Sequence, residues 1–290
     1  MTDAFPFDAT PCALGAFGVV RADLAGIAAL RKAPGPSVGT KIPPSLLKHA
    51  DHQTVLSLAA VLKAAADAGW SDRSFDGWAV IAAPRFLGRL VTAKAVERYE
   101  QSGVAGVSPL IVPTLTLHAV AGSLSLAIQS HGFNFGVSGG PDHVGEALLA
   151  GLAARDDGDV PGVWVVASGF TPEPIPDGRG DSLTPTTGYA VALALTAGAD
   201  ASRSRINLRV VASSTGGKRS QAAPPDANGG EPLTDLVALA DFLDAVGLAG
   251  QSTSHRPRRV YCPLPGAAGA VAFDDDPARA AGTVRPAKVG

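Results

Sequence analysis

Apolar positions along the chain change period several times, and each change marks an element. Residues 12–20 (CALGAFGVV) are almost wholly apolar and predict a first strand, followed by an Ala-rich stretch and a loop punctuated by Pro and Gly at 33–44. Asp51 then stands at a helix-cap position. Apolar residues at 55, 58, 59, 62 and 66 step by three and four, and Gly69 is a natural stop. FDGWAVIAA (75–83) predicts a buried strand. Leu117, Val120, Ala121, Leu124 and Ile128 predict a helix from near Thr116 to His131-Gly132. Phe133 to Ser138 reads as a short extended segment, and Gly-Gly-Pro-Asp turns the chain into a helix over about 142–154. VWVVAS (163–168) has no polar alternation, which predicts a central strand covered on both faces.

The second half carries fewer apolar residues. GYAVALAL (188–195) and INLRVVAS (206–213) predict two strands. Residues 214–232 contain nothing apolar larger than Ala or Pro and predict a mobile loop. TDLVALADFLDAVG (234–247) is an amphipathic helix capped by Thr234 or Asp235. RRVYC (258–262) and GAVAF (269–273) predict two last strands before a frayed, disordered tail over 274–290. No short internal repeat is evident. Strands alternating with helices predict a layered α/β protein with one main core.

Composition narrows the functions open to this chain. Twenty-four basic and 26 acidic residues give a net charge of −2, so no field favours nucleic acid. Two cysteines, Cys12 and Cys262, make neither a disulfide framework nor a zinc motif, which predicts a reducing, cytoplasmic setting. MTDAFPFDATP lacks the basic start and apolar core of a signal peptide. Mean hydropathy is +0.18, and 111–128 carries no charged residue. Pro113, Thr114, Thr116, His118 and Ser123 within it predict a buried helix and no membrane span.

Several motif-like stretches carry little chemistry. Gly217-Lys218 resembles a phosphate-binding loop but has Ala212 at the leading glycine position and Arg219 after the lysine. His49 and His52 flank Asp51 at a helix start, where capping or solvent exposure is the expected role, and Arg179-Gly180-Asp181 is a tripeptide common by chance. No cofactor or metal is expected. Ser138, Asp142 and His143 at a strand-to-helix turn are more suggestive, because backbone N–H groups there stabilise anions. Yet the letters Gly136-Val137-Ser138-Gly139-Gly140 lack the Gly-x-Ser-x-Gly spacing of a nucleophile elbow. Asp142 reads as a cap and His143 as outward-facing.

In order and letters the chain resembles the β-ketoacyl synthases of the thiolase fold over roughly 12–213. CALGAFGVV resembles their opening strand, and DHQTVLSLAAVLKAAADAG their Asp-led, Ala-rich helix. Pro113 to His131 resembles the helix before the nucleophile. Gly132-Phe133-Asn134 stands where the family has Gly-Pro-Asn, and VWVVASGF (163–170) resembles the strand and glycine turn that follow. The resemblance implies a thiolase-like α/β/α/β/α layering, with a synthase-like part over 1–213 and a reduced C-terminal half over 233–290. It places Gly139, Gly140 and Pro141 where the family has Thr-Ala-Cys. Proline offers no nucleophile, and no cysteine lies between 12 and 262. The family's two C-terminal histidines have no counterpart either: His255 lies in a polar loop, and RRVYCPLPGAAG contains no His-Gly-Thr.

The resemblance therefore implies a catalytically silent partner similar to the chain-length-factor subunits of polyketide and aryl-polyene systems. Such a subunit would pair with an active synthase and meet an acyl carrier protein. Phe133, Asn134, Phe135, Gly136, Val137 and Ser138 would then lie at a two-fold interface, giving a homodimer if the chain is isolated. Two rival readings are an enzyme using Ser138, Asp142 and His143, and a stand-alone protein that binds an acyl chain or a carrier protein.

Overall fold

A computed structural model describes residues 12–36, 42–137, 139–156, 160–196, 206–212, 231–249, 258–264 and 269–275. Nine strands join in the order β3-β2-β4-β5-β1-β6-β9-β8-β7. They are β1 (Cys12–Ala22), β2 (Ala79–Pro84), β3 (Asn134–Gly136), β4 (Gly162–Thr171), β5 (Thr187–Thr196), β6 (Ile206–Ala212), β7 (Glu231–Pro232), β8 (Arg258–Pro263) and β9 (Gly269–Asp275). Only Cys12 and Ala13 of the eleven-residue β1 pair with β6, through Leu208 and Asn207. The two groups of strands are thus joined at one corner and can diverge around a layer of helices.

That layer contains α7 (His143–Asp156) and α8 (Leu236–Ala249). Val144, Leu148 and Leu152 of α7, with Leu239, Phe242 and Leu243 of α8, share one core with Ile81, Val165 and Leu193 on one side and Leu208, Val260 and Phe273 on the other. On the far face of the first group lie α3 (His52–Asp67) and α6 (Leu117–Ile128). There Val55, Leu58, Leu62, Val120 and Leu124 meet Val80, Val166 and Ala192 in a second core. Burying each large aliphatic side chain stabilises the fold by about 1.5–3 kcal/mol. The layered α/β expectation holds, and four of the five expected layers lie among the described residues. The outward face of β6, β8 and β9 carries Arg209 and Arg259, both paired to Asp274, and no helix described here covers it.

The same strand order occurs twice. From β2 the first group runs β2-β4-β5-β1 with pairings parallel, antiparallel, antiparallel, and the second runs β7-β8-β9-β6 with the same sequence of directions. Among the described residues the second group has no counterpart of β3. A repeat at this level escapes a reading of letters because it lies in strand order and direction and not in residue identity.

Most predicted elements are present with shifted ends. Asp51 caps α3 by accepting from Gln53 N (2.8 Å), and Asp235 accepts from Ala238 N (2.8 Å) at α8. β4 is buried on both faces, and α6 begins after Thr116. The predicted strand at 75–83 starts only at Ala79, because Phe75 and Trp78 belong to a turn whose rings pack against Trp164. The stretch predicted as a mobile loop ends in β7, where Glu231 and Pro232 pair with Val260 and Tyr261; its residues 214–230 lie outside the described residues. Asp274 and Asp275 belong to β9, and the expected tail from 276 onward is also outside them. Helices α1 (Leu24–Lys32), α2 (Pro44–Lys48) and α4 (Arg89–Ser102) have no counterpart among the predicted elements, and the helix expected within 111–128 is split into α5 (Ile111–Leu115), none of whose residues is buried, and α6. No described helix is long and apolar enough to cross a membrane.

Candidate functional site

Strands β3, β2 and β4 run parallel, so their carboxyl ends open onto one edge, the side where open α/β sheets present ligands and chemistry. Three segments converge there. Val137 N donates to Ala82 O (2.9 Å), Arg85 N to Ser168 O (2.7 Å) and Phe86 N to Gly139 O (3.0 Å). Gln53, one residue into α3, ties the same edge from the other face. Its Nε2 donates to Arg85 O (2.7 Å) and its Oε1 accepts from Ser168 Oγ (3.1 Å). The turn over 139–142 is thereby fixed against the end of β2.

Pro141 and Asp142 are exposed at this turn, and Glu146 N donates to the Asp142 carbonyl (3.2 Å) as α7 begins. His143 does not face outward as predicted; it is 1 % exposed. Helix α7 lies between two groups of strands, so even its first turn has protein on both sides. His143 Nδ1 lies 3.4 Å from Pro141 O, and Nε2 is buried with no hydrogen-bond partner among the described residues. Burial lowers the affinity of this imidazole for a proton, and the charge of Arg85 adds to the effect. Ser138 lies outside the described residues, so the predicted Ser138–Asp142–His143 grouping is placed only in its last two members.

Both cysteines are free and buried within apolar strands. Burial pushes the Cys12 thiol up to about 11, and it pushes Cys262 up to about 12 with the Asp142 carboxylate adding to the effect. Neither is a thiolate near neutral pH. Arg259, which could have activated Cys262, pairs with Asp274.

The sequence reading missed the charged part of this edge. Glu173, just beyond β4, lies between Arg85 (3.3 Å) and Arg89 (3.7 Å). Both guanidinium groups also stand over the Phe86 ring, at 5.2 and 5.8 Å from its centroid. Phe86 has φ +49°, a left-handed conformation that costs a bulky residue about 1–2 kcal/mol. The available signal was Pro84-Arg85, a break and a charge directly after an apolar strand. His49 is exposed as predicted, whereas His52 is mostly buried beside Asp51. No group of three or more His, Cys, Asp or Glu among the described residues could hold a metal ion.

β3 is an outer strand of the sheet. Phe133 (45 % exposed) and Phe135 (38 %) stack beside its open edge, with ring centroids 5.9 Å apart. Leu117 and Leu126 of the adjoining α6 are exposed as well. Val137 instead packs into the core between the two groups of strands.

The chain has the layered α/β fold of the ketosynthases. It is similar to an acyl-carrier protein–ketosynthase complex of a type II polyketide synthase bound to the hexaketide (TM-score 0.60, 12 % identity, covering 92 % of this chain and 99 % of that one). It is also similar to the ishigamide ketosynthase/chain length factor (0.57, 14 %, 92 % and 99 %) and to a ketosynthase in complex with its chain length factor from Xenorhabdus doucetiae (0.51, 15 %, 91 % and 99 %). No protein-family model and no curated protein matches the sequence.

Proposed function

We propose that this protein is a catalytically silent, ketosynthase-like subunit of the chain-length-factor type. It pairs with an active β-ketoacyl synthase and serves an acyl carrier protein in polyketide- or fatty-acid-type assembly in the cytoplasm. One observation carries the reading. Pro141 is exposed at the turn from β3 into α7, where the resemblance to the synthases puts the nucleophile, and both cysteines of the chain are buried elsewhere as thiols. Nucleophilic catalysis needs an activated atom that proline lacks.

The exposed edge of β3 supports the pairing. Unpaired N–H and C=O groups beside stacked aromatic rings are an invitation to strand addition, and neither Lys nor Pro protects residues 133–138. Residues 133–137 would lie at the two-fold axis, with the same surface forming a homodimer when the chain is alone. Ser138 belongs to the same proposed interface.

The buried Nε2 of His143, without a partner among the described residues, favours an enzyme using Ser138 or His143. Incubation with short acyl thioesters followed by intact-mass spectrometry separates the two. The expected result is an unmodified chain that neither condenses nor decarboxylates malonyl thioesters. A stable acyl adduct within 138–143 would overturn the silent reading.

A further inference from the structure

We propose that Arg85 and Arg89 form a binding site for the carboxylate of a small ligand with an apolar stem, and that the chain's own Glu173 occupies this site in the free protein. The inference stands apart from the partner-subunit reading and rests on how poorly the resident pair is made. Arg85 Nε and Glu173 Oε1 lie 3.3 Å apart, yet both atoms are buried without a hydrogen-bond partner among the described residues. The second contact, Arg89 Nη1 to Glu173 Oε2, is 3.7 Å. A carboxylate matched to guanidinium groups accepts at about 2.7–2.9 Å, often through both oxygens.

Burial raises the proton affinity of Glu173 in spite of two neighbouring arginines, so the pairing does not offset the loss of water. Among the described residues one carboxylate faces two positive charges. The resident pair is not what holds the turn at Arg85 and Phe86. The Arg85 backbone is already fixed by Ser168 and Gln53, and Phe86 by Gly139. What the arginines share instead is the Phe86 ring, 42 % exposed and held in a strained conformation. Strain retained beside charged groups at the carboxyl ends of parallel strands is a mark of a binding site. A free carboxylate can approach the fork of Arg85 and Arg89 without the tether that holds Glu173 off its ideal position. A short alkyl stem would lie on the Phe86 face.

Butyrate is the probe, titrated by calorimetry into the wild-type chain and the variants Glu173→Gln, Arg89→Gln, Phe86→Ala and Glu173→Gln/Arg89→Gln, with inorganic phosphate in a parallel arm. Removing the resident carboxylate is expected to tighten butyrate binding at least tenfold. Arg89→Gln in the Glu173→Gln background should abolish that gain, and Phe86→Ala should bring butyrate down to the affinity of acetate. The Arg89 side chain is 48 % exposed, so its replacement leaves the fold intact, and equal thermal midpoints verify this. Glu173→Ala gives a second route to the same vacancy if the amide distorts the loop. Equal butyrate affinity in the wild type and both Glu173 variants would overturn the proposal. Phosphate binding as tight as butyrate would overturn the assignment to a carboxylate with an apolar stem.

Discussion

Gly18 on β1 faces the middle of α3, and a methyl group there has nowhere to go. A Cβ at this position would fall well inside contact distance of the Ala60 carbonyl oxygen, 2.8 Å from Ala64 N and 3.0 Å from Ala64 Cβ, whereas ordinary contact begins near 3.4 Å. Two of these three atoms are helix backbone, so no side-chain rotation relieves the clash. Helix α3 has to move away from the sheet, loosening the core made by Val55, Leu58 and Leu62. Overpacking of this kind costs about 1–3 kcal/mol, and for a chain of this size each kcal/mol lowers Tm by roughly 2–4 °C. Gly18→Ala should therefore lower Tm by about 2–12 °C in a thermal melt followed by far-ultraviolet circular dichroism. Gly69→Ala is the comparison. It has φ +70° and nothing within 4 Å of the added carbon, so it should cost only the backbone strain of about 1–2 kcal/mol. A Gly18→Ala melt within 1 °C of wild type would refute the packing of α3 on β1.

Four further outcomes follow from the same structure. With thiols pushed up to about 11 and about 12, Cys12 and Cys262 should resist iodoacetamide in the native protein at pH 8 and react within minutes in denaturant; rapid selective labelling of Cys262 would contradict its burial. His143 binds its proton less well folded than unfolded, so its contribution is complete above the ordinary imidazole value of 6.5 and is lost as pH falls below it. Urea midpoints from pH 8 to 5 should accordingly fall less for His143→Phe than for wild type. If the proposed homodimer forms, Phe135→Lys should leave the chain monomeric yet folded at micromolar concentration, whereas Val137→Lys should lower Tm further because it places a charge in the core between the two groups of strands. Ser220→Lys is expected to leave the association unchanged.

How much of this was legible in the sequence depends on how local each signal is. β4 announced its double burial through six consecutive residues without a charge, and Asp51 and Asp235 announced their helices because a cap acts on N–H groups two or three residues away. Helix α4 left no such trace. Leu90 is its only buried residue, so it has no apolar stripe to read. His143 was misread because the sequence shows a first-turn position but not the second group of strands lying over it. The charged edge was invisible for a related reason: Arg85 and Glu173 are 88 positions apart, and only the parallel pairing of β2 with β4 brings them together. The twofold recurrence of strand order is legible from topology alone, since no letters repeat with it.

Native mass spectrometry of the chain co-expressed with a β-ketoacyl synthase that retains its cysteine and two histidines, together with its carrier protein, tests the central claim most directly. The account predicts a one-to-one complex of the two ketosynthase-like chains, abolished by Phe135→Lys, with any acyl mass carried on the synthase alone. A monomer that ignores the synthase, or an acyl group found on this chain, would contradict it.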